Sequence, residues 1–268
     1  MIHLKALERS SKPFPDEFPF NVPVIQSLAR IEFTTDVTFF VGENGSGKST
    51  LLEAIACAAR VPTIGAENVE QDATLAAMRC LADALRWEWT KKTRRGFFMR
   101  SEDFFGFAKR IGQIERDLAE ERHDVKTSFA GRSELAANLA SMPFDKELTA
   151  IREQYGDGLD AQSHGESYFK LFRARFVPNG LYLLDEPEAP LSPMRQLTLI
   201  ALMSDMIKLG AQFVIATHSP ILLAYPDAAI LSFDKGTIQP ESYENLEHVT
   251  LTRAFLNDPK SFLSHLLD

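Results

Sequence analysis

One stretch, Gly42-Glu43-Asn44-Gly45-Ser46-Gly47-Lys48-Ser49-Thr50, constrains this chain more than any other. The apolar run Val37-Thr38-Phe39-Phe40-Val41 precedes it, and the helix-favouring run Leu51-Leu52-Glu53-Ala54-Ile55-Ala56-Cys57-Ala58-Ala59 follows. A strand passing through a glycine-rich turn into a helix is the setting in which G-x-x-x-x-G-K-[ST] forms a P-loop. The glycines let the backbone curl until its N–H groups face a phosphate chain, and the helix beginning near Lys48 adds the positive end of its dipole. In such a loop Lys48 reaches the β- and γ-phosphates and the Ser49 hydroxyl ligates Mg²⁺. The expected ligand is a nucleoside triphosphate.

The chain has 268 residues, enough for one large α/β domain or a domain with a sizeable insertion. A hydrophobic fraction of 45% with 25% charged residues supports a full core. The net charge of −8 argues against indiscriminate nucleic-acid binding, leaving room for a local basic patch. Cys57 and Cys80 both fall in helical apolar patterns and are expected in the core, in a reducing compartment. No apolar stretch approaches the roughly 20 residues of a membrane span, and a cytoplasmic location is expected.

In chain order, Met1 to Glu8 alternates as a first strand, and Ser10 to Pro23 carries four prolines interleaved with Phe14, Phe18 and Phe20. Proline at that density excludes helix and central strand. The phenylalanines there pack on a sheet, or one of them stacks on a nucleotide base. Ile25 to Phe33 reads as an edge strand. From Val61 to Gln162 the pattern is mostly helical, clearest over Thr74–Trp89 and Phe107–Arg122, and predicts a helical insert over residues 61–162. Between those helices lies a basic, aromatic stretch, Lys91 to Arg100: a solvated turn leading into a core strand, or a contact surface for nucleic acid or a partner. Strands return at Gly180–Asp185, Gln212–Thr217 and Ile230–Phe233, with a helix from Ser192 to a stop at Gly210. His248 to Leu267 reads as two short helices broken at Pro259. This alternation describes a mainly parallel sheet with its sites at the strand C-termini.

Leu181 to Leu184 followed by Asp185-Glu186 supplies the second half of a site. Asp185 is expected beside Mg²⁺, and Glu186 as the base holding the attacking water. Thr217-His218-Ser219-Pro220 closes another buried strand, which makes His218 a candidate sensor of the γ-phosphate. A third element, Ala161-Gln162-Ser163-His164-Gly165-Glu166-Ser167, enters a helix through Arg175. Ser163 and the free N–H groups of Gly165 and Glu166 would make a second anion-binding helix start, which invites a nucleotide shared between two copies.

The order P-loop, helical insert, Ser-x-Gly-Glu, Leu-Leu-Asp-Glu-Pro, Thr-His-Ser resembles the ATP-binding-cassette (ABC) ATPase superfamily. It is most similar to the stand-alone bacterial AAA-type ATPases related to the SMC and double-strand-break-repair branch and to OLD-type proteins. The resemblance implies an α/β P-loop NTPase with an ABC-type sheet. It also implies ATP with Mg²⁺, hydrolysis, and a head-to-tail homodimer in which residues 42–50 and 185–186 of one copy face Ser163 to Glu166 of the other. Family roles then fall on Lys48, Ser49, Asp185, Glu186, His218, Ser163 and Gly165. Three features depart from the family: Ser-His-Gly-Glu replaces the transporter signature, Ala189 to Pro193 lacks an aspartate, and no glutamine marks the coupling loop. Gln71 and Gln113 are weakly placed for that role, and Glu102 is a candidate substitute. The implied function is an ATP-driven switch acting on an unidentified protein partner or nucleic acid, in repair or defence. The alternative is the nucleotide-binding subunit of a membrane transporter, against which the signature and the long insert argue. A P-loop kinase leaves Glu186, His218 and the Ser163 turn unexplained.

Overall fold

The computed structural model describes residues 1–11, 13–64, 72–129, 133–155 and 164–267. It divides into two compact units, one holding both β-sheets and the other, Glu102–Phe176, helical.

The N-terminal alternation forms β1 (Leu4–Arg9). The proline-rich segment ends in a single helical turn, α1 (Pro23–Gln26), so the strand expected from Ile25 shortens to β2 (Arg30–Glu32). Pro23 starts that turn because it has no N–H to lose there, and Val24 and Ile25 are buried by it. The P-loop strand β3 (Val37–Val41) is buried along its whole length and feeds α2 (Lys48–Ala59). Leu51, Leu52 and Ile55 of α2 are fully buried, each contributing about 1.5–3 kcal/mol of transfer free energy.

The helix expected over Thr74–Trp89 is cut short. It is α3 (Ala76–Ala84), and Leu85-Arg86-Trp87-Glu88-Trp89 becomes β4 (Leu85–Trp89). Those five residues alternate apolar and charged with period two, the pattern of a half-buried strand, and that period wins over helical propensity. β4 and β2 flank β1 in an antiparallel sheet, β2-β1-β4. The basic turn then leads into β5 (Gly96–Arg100), whose centre is buried, as expected for a solvated turn entering a core strand.

The second unit is built on α4 (Ser101–Ser128), α5 (Glu134–Tyr155) and α6 (His164–Arg175). α4 extends the expected Phe107–Arg122 helix in both directions. Arg122 pairs with Asp145 at 2.6 Å and Arg152 with Glu115 at 3.0 Å, tying α4 to α5, while Tyr168, Leu171 and Phe172 of α6 are fully buried.

The remaining elements are β6 (Leu181–Asp185), α7 (Pro193–Lys208), β7 (Gln212–Ala216), α8 (Pro220–Leu223), β8 (Ala229–Ser232), β9 (Gln239–Pro240), α9 (Glu247–Asn257) and α10 (Pro259–Leu267). The main sheet has the order β5-β6-β7-β3-β8-β9, parallel except at β9. A buried glutamine side chain helps to join the main sheet to the antiparallel sheet. Gln212 Oε1 accepts from the His3 and Leu4 N–H groups at 2.8 Å each, and its Nε2 donates to the Leu4 carbonyl at 3.0 Å. The core is continuous from Leu4, Leu7 and Ile31 through Leu51 and Ile55 to Leu183 and Val214. The cysteines depart from expectation: Cys80 is exposed, and Cys57 is only partly buried, its thiol pushed up to about 12 chiefly by desolvation.

Candidate functional site

All the strands that carry candidate residues run parallel, so their C-termini open on one edge of the main sheet. The P-loop leaves β3 there, Asp185 ends β6, and Thr217-His218 follows β7. Because β7 stands between β3 and β6, His218 emerges between the loop and the acidic pair. The basic turn Lys91–Arg95 precedes β5 and therefore lies at the opposite edge. Arg100, at the far end of β5, is not part of a solvated patch: its guanidinium pairs with Glu53 on α2 at 2.7 Å.

The loop's shape is set by its glycines. Gly47, at φ +99°, is the N-cap of α2 and supplies no side-chain cap. A Cβ there would lie 2.6 Å from Val24 Cγ2 and 2.9 Å from Val22 Cγ1, so the position is closed to any other residue by both torsion and space. The first-turn N–H groups of α2 are thus left for an anion. Lys48 is buried at 5% exposure and folds back on the loop, donating from Nζ to the carbonyls of Gly42 at 2.6 Å and Glu43 at 2.9 Å. Burial lowers its pKa, and the charges of Glu186, Asp185, Asp234 and Glu188 act in the opposite direction. Glu43, Asn44 and Gly45 are exposed at the rim, and Ser46 and Thr50 are partly buried.

Asp185 is 9% exposed, and desolvation above all pushes its carboxyl up to about 6; a hydrogen bond from the Ser49 hydroxyl works against that rise. Its Oδ1 is buried without a hydrogen-bond partner, as are Ser46 Oγ and His218 Nε2. Unpaired buried polar atoms cost stability unless a ligand or ordered water completes them, and Ser46 Oγ, Asp185 Oδ1 and His218 Nε2 gather such atoms at the strand ends that carry the P-loop and the acidic pair. Ser49 Oγ and the Asp185 carboxylate are hard oxygen donors of the kind Mg²⁺ takes alongside phosphate oxygens, so the residues present fit that ion. Glu186 is half exposed, with its backbone at φ +47° and its N–H bonded to the Ala216 carbonyl at 2.9 Å. Its Oε1 lies 3.9 Å from His218 Nε2.

Two further acids escaped the sequence reading. Glu188 folds back beneath His218: its Oε1 accepts the His218 N–H at 2.8 Å, and its carboxylate also accepts from Thr217. Burial raises its pKa. The signal was present as the third acid of Asp185-Glu186-Pro187-Glu188. Asp234, after β8, accepts the Glu43 N–H at 3.2 Å, and its Oδ1 would be 3.1 Å from a Cβ on Gly42. No local pattern announced it. Of the second anion site, Gly165 falls in the first turn of α6, and Ser163 lies outside the described residues, as does Gln71. Gln113 is exposed on α4 and bonds Asp117, and Glu102 is exposed in that helix's first turn.

Comparison with known proteins bears on the family and the fold. Residues 21–60 match a family described as "AAA domain", and residues 62–224, more than half of the chain, match one described as "AAA domain, putative AbiEii toxin, Type IV TA system". The macrolide export ATP-binding/permease protein MacB of Escherichia coli (strain K12) is 26% identical over 233 residues, covering 86% of this chain and 33% of that protein. The chain thus spans about a third of the length of such curated relatives. Among solved structures, the ADP conformation of MJ1267, an ATP-binding cassette of an ABC transporter, aligns over 100% of both chains with a TM-score of 0.50 and 17% identity, a likeness of fold. The Smc head domain of Pyrococcus furiosus, with an extended coiled coil and bound to the C-terminal domain of ScpA, aligns over 97% of this chain and 100% of that one, with a TM-score of 0.46 and 12% identity. Described as "AAA domain, putative AbiEii toxin, Type IV TA system", the family matched by residues 62–224 is the one to which this chain belongs, and its P-loop and mainly parallel sheet give it the fold of an ATP-binding cassette.

Proposed function

We propose that the protein is an ATP-hydrolysing switch that closes as a head-to-tail dimer around Mg²⁺-ATP and drives a partner by opening again. The observation that carries this reading is the convergence of Asp185, Glu186 and His218 on the P-loop and its Lys48, with Ser46 Oγ, Asp185 Oδ1 and His218 Nε2 buried there without hydrogen-bond partners. Lys48 leaves its two carbonyls for the β- and γ-phosphates, a short rearrangement because both carbonyls belong to the loop itself. Ser49 and Asp185 would hold Mg²⁺, which when bound would supply charge neutralisation at the phosphate oxygens. Glu186, exposed at the end of β6, accepts a proton from the attacking water. His218, seated on Glu188 through its N–H, donates to the γ-phosphate. In the dimer the partner copy adds Ser163 and Gly165. Closure is a population shift driven by tighter ATP binding in the closed form.

The base end of the nucleotide falls to Phe18. Of the phenylalanines before α1, Phe14 and Phe20 pack on each other with centroids 5.1 Å apart and Phe20 is buried, whereas Phe18 is 59% exposed. It lies four residues before Val22, which touches the P-loop at Gly47.

Steady-state ATP hydrolysis across a range of protein concentrations tests the reading, with wild type beside Glu186→Gln. Turnover per chain should rise with concentration, and the variant should bind ATP, sediment as a dimer and fail to turn it over. A Glu186→Gln protein that stays monomeric with ATP and Mg²⁺ removes the shared nucleotide. The family description supports a defence setting, and the MacB relatives supply the second reading, a transporter's nucleotide-binding subunit. Recovery with membranes on an integral partner would favour the latter. Among the described residues no helix is long and apolar enough to cross a membrane.

A further inference from the structure

Beside the P-loop, a cleft of about 670 Å³ runs from Gly42 and Glu43 past His218 and Asp234 to His248 and Leu251 of α9. The C-terminal segment that forms its far wall is fixed at two places. Tyr243, just before α9, donates its hydroxyl to the Pro220 carbonyl at 3.0 Å, two residues after His218. Leu246 and Val249 bracket His248 and are buried at 5% and 2% exposure. His248 is therefore held facing the loop that carries His218. The two rings stand edge to face, with centroids 6.3 Å apart and planes at 65°. The Nε2 atoms of both are buried and without a hydrogen-bond partner, although each sits in a cleft lined by polar groups.

Resting on the proposed γ-phosphate contact of His218, we propose that His248 is a positioning residue: packed edge to face on His218, it turns its unpaired Nε2 into a hydrogen bond to that ring when ATP binds and so fixes His218 toward the terminal phosphate. Glu188 holds the backbone of His218 from below, and His248 holds the imidazole from the C-terminal side. The ring needs the second hold because Glu186 Oε1, 3.9 Å from its Nε2, is beyond hydrogen-bond reach. The C-terminal helices then become part of the ATP-sensing apparatus, and anything that shifts α9 changes how well ATP is told from ADP.

The test measures binding of Mg²⁺-ATP and of ADP by calorimetry, in a Glu186→Gln background where hydrolysis does not interfere. The ATP-over-ADP preference should fall about tenfold in His218→Ala. It should fall about three- to tenfold in His248→Phe, which keeps the ring packing and removes the nitrogen. His248→Gln should retain most of the preference, and His248→Phe added to His218→Ala should cost nothing more. Unchanged ADP affinity shows that each variant is folded. An unaltered preference in His248→Phe, or a loss that persists undiminished in the His218→Ala background, overturns the proposal. A preference that survives His218→Ala removes the γ-phosphate contact itself and the positioning role with it.

Discussion

The outer face of the antiparallel sheet and the edge of the main sheet carry the same kinds of charge in opposite circumstances. On the first, Arg30 reaches Glu88 at 2.7 Å, Glu32 at 3.0 Å and Glu8 at 3.2 Å, and Lys5 reaches Glu88 at 2.6 Å. Lys5 and Arg30 hold Glu88 below the usual carboxylate range, and every member of the network is open to solvent. On the second, Lys48 and Asp185 are buried, and Asp185 keeps an unpaired oxygen. Exposed pairs of this kind contribute little, because water and salt do most of what the partner does. Buried charge left incomplete is costly, and it persists where a ligand completes it. Satisfaction, more than the number of charges, separates scaffold from site.

The contrast can be broken from the site side first. Lys48→Ala should weaken ATP binding by about 100-fold or more, read by calorimetry, because it removes a charged donor from two phosphates. Glu186→Gln should lower kcat by about 100- to 10,000-fold while ATP affinity holds. Asp185→Asn should uncouple the two roles of that carboxylate. The folded protein binds the Asp185 proton more tightly than the unfolded chain does, since 3.8 rises to about 6. The ligand-free protein is accordingly favoured below about pH 4, and it loses that advantage as pH climbs to about 6, a cost of about 3 kcal/mol at neutrality. Asp185→Asn should therefore melt higher than wild type without ligand at neutral pH, and lose the extra stability that Mg²⁺ adds to ATP. A variant that melts lower ends the account of Asp185 as an unfavourable buried charge. Phe18→Ala should weaken ATP about fivefold, within the span measured for a stacked base. Arg30→Ala marks the far end of the scale: nucleotide binding unchanged, and a melting midpoint within scatter of wild type.

What could be read from the sequence follows from how local each determinant is. The P-loop strand, its helix, β6 with Asp185-Glu186 and β7 with His218 each declare themselves within a few residues, because burial on both faces demands an unbroken apolar run and the polar residue that ends it is conspicuous. β4 was misread as helix because its five residues follow directly on a helical pattern, and an alternation that short stands out only once its pairing with the distant β1 is known. Glu188, Asp234 and His248 were missed because their roles depend on folding back toward the site: Glu188 meets a backbone N–H thirty residues on, and Asp234 meets one 191 residues away. Choosing among Phe14, Phe18 and Phe20 needed packing, which the proline-rich segment does not advertise.

Glu186 stands with φ at +47°, a left-handed backbone that costs a side chain of its kind about 1–2 kcal/mol. Asparagine is at home in that conformation, and glycine more so. Evolving this chain for heat resistance without asking it to turn over ATP should therefore replace Glu186 early, giving a sturdier protein that no longer hydrolyses. The torsion that would aim the proposed base is thus also the reason a thermostability screen would tend to discard it.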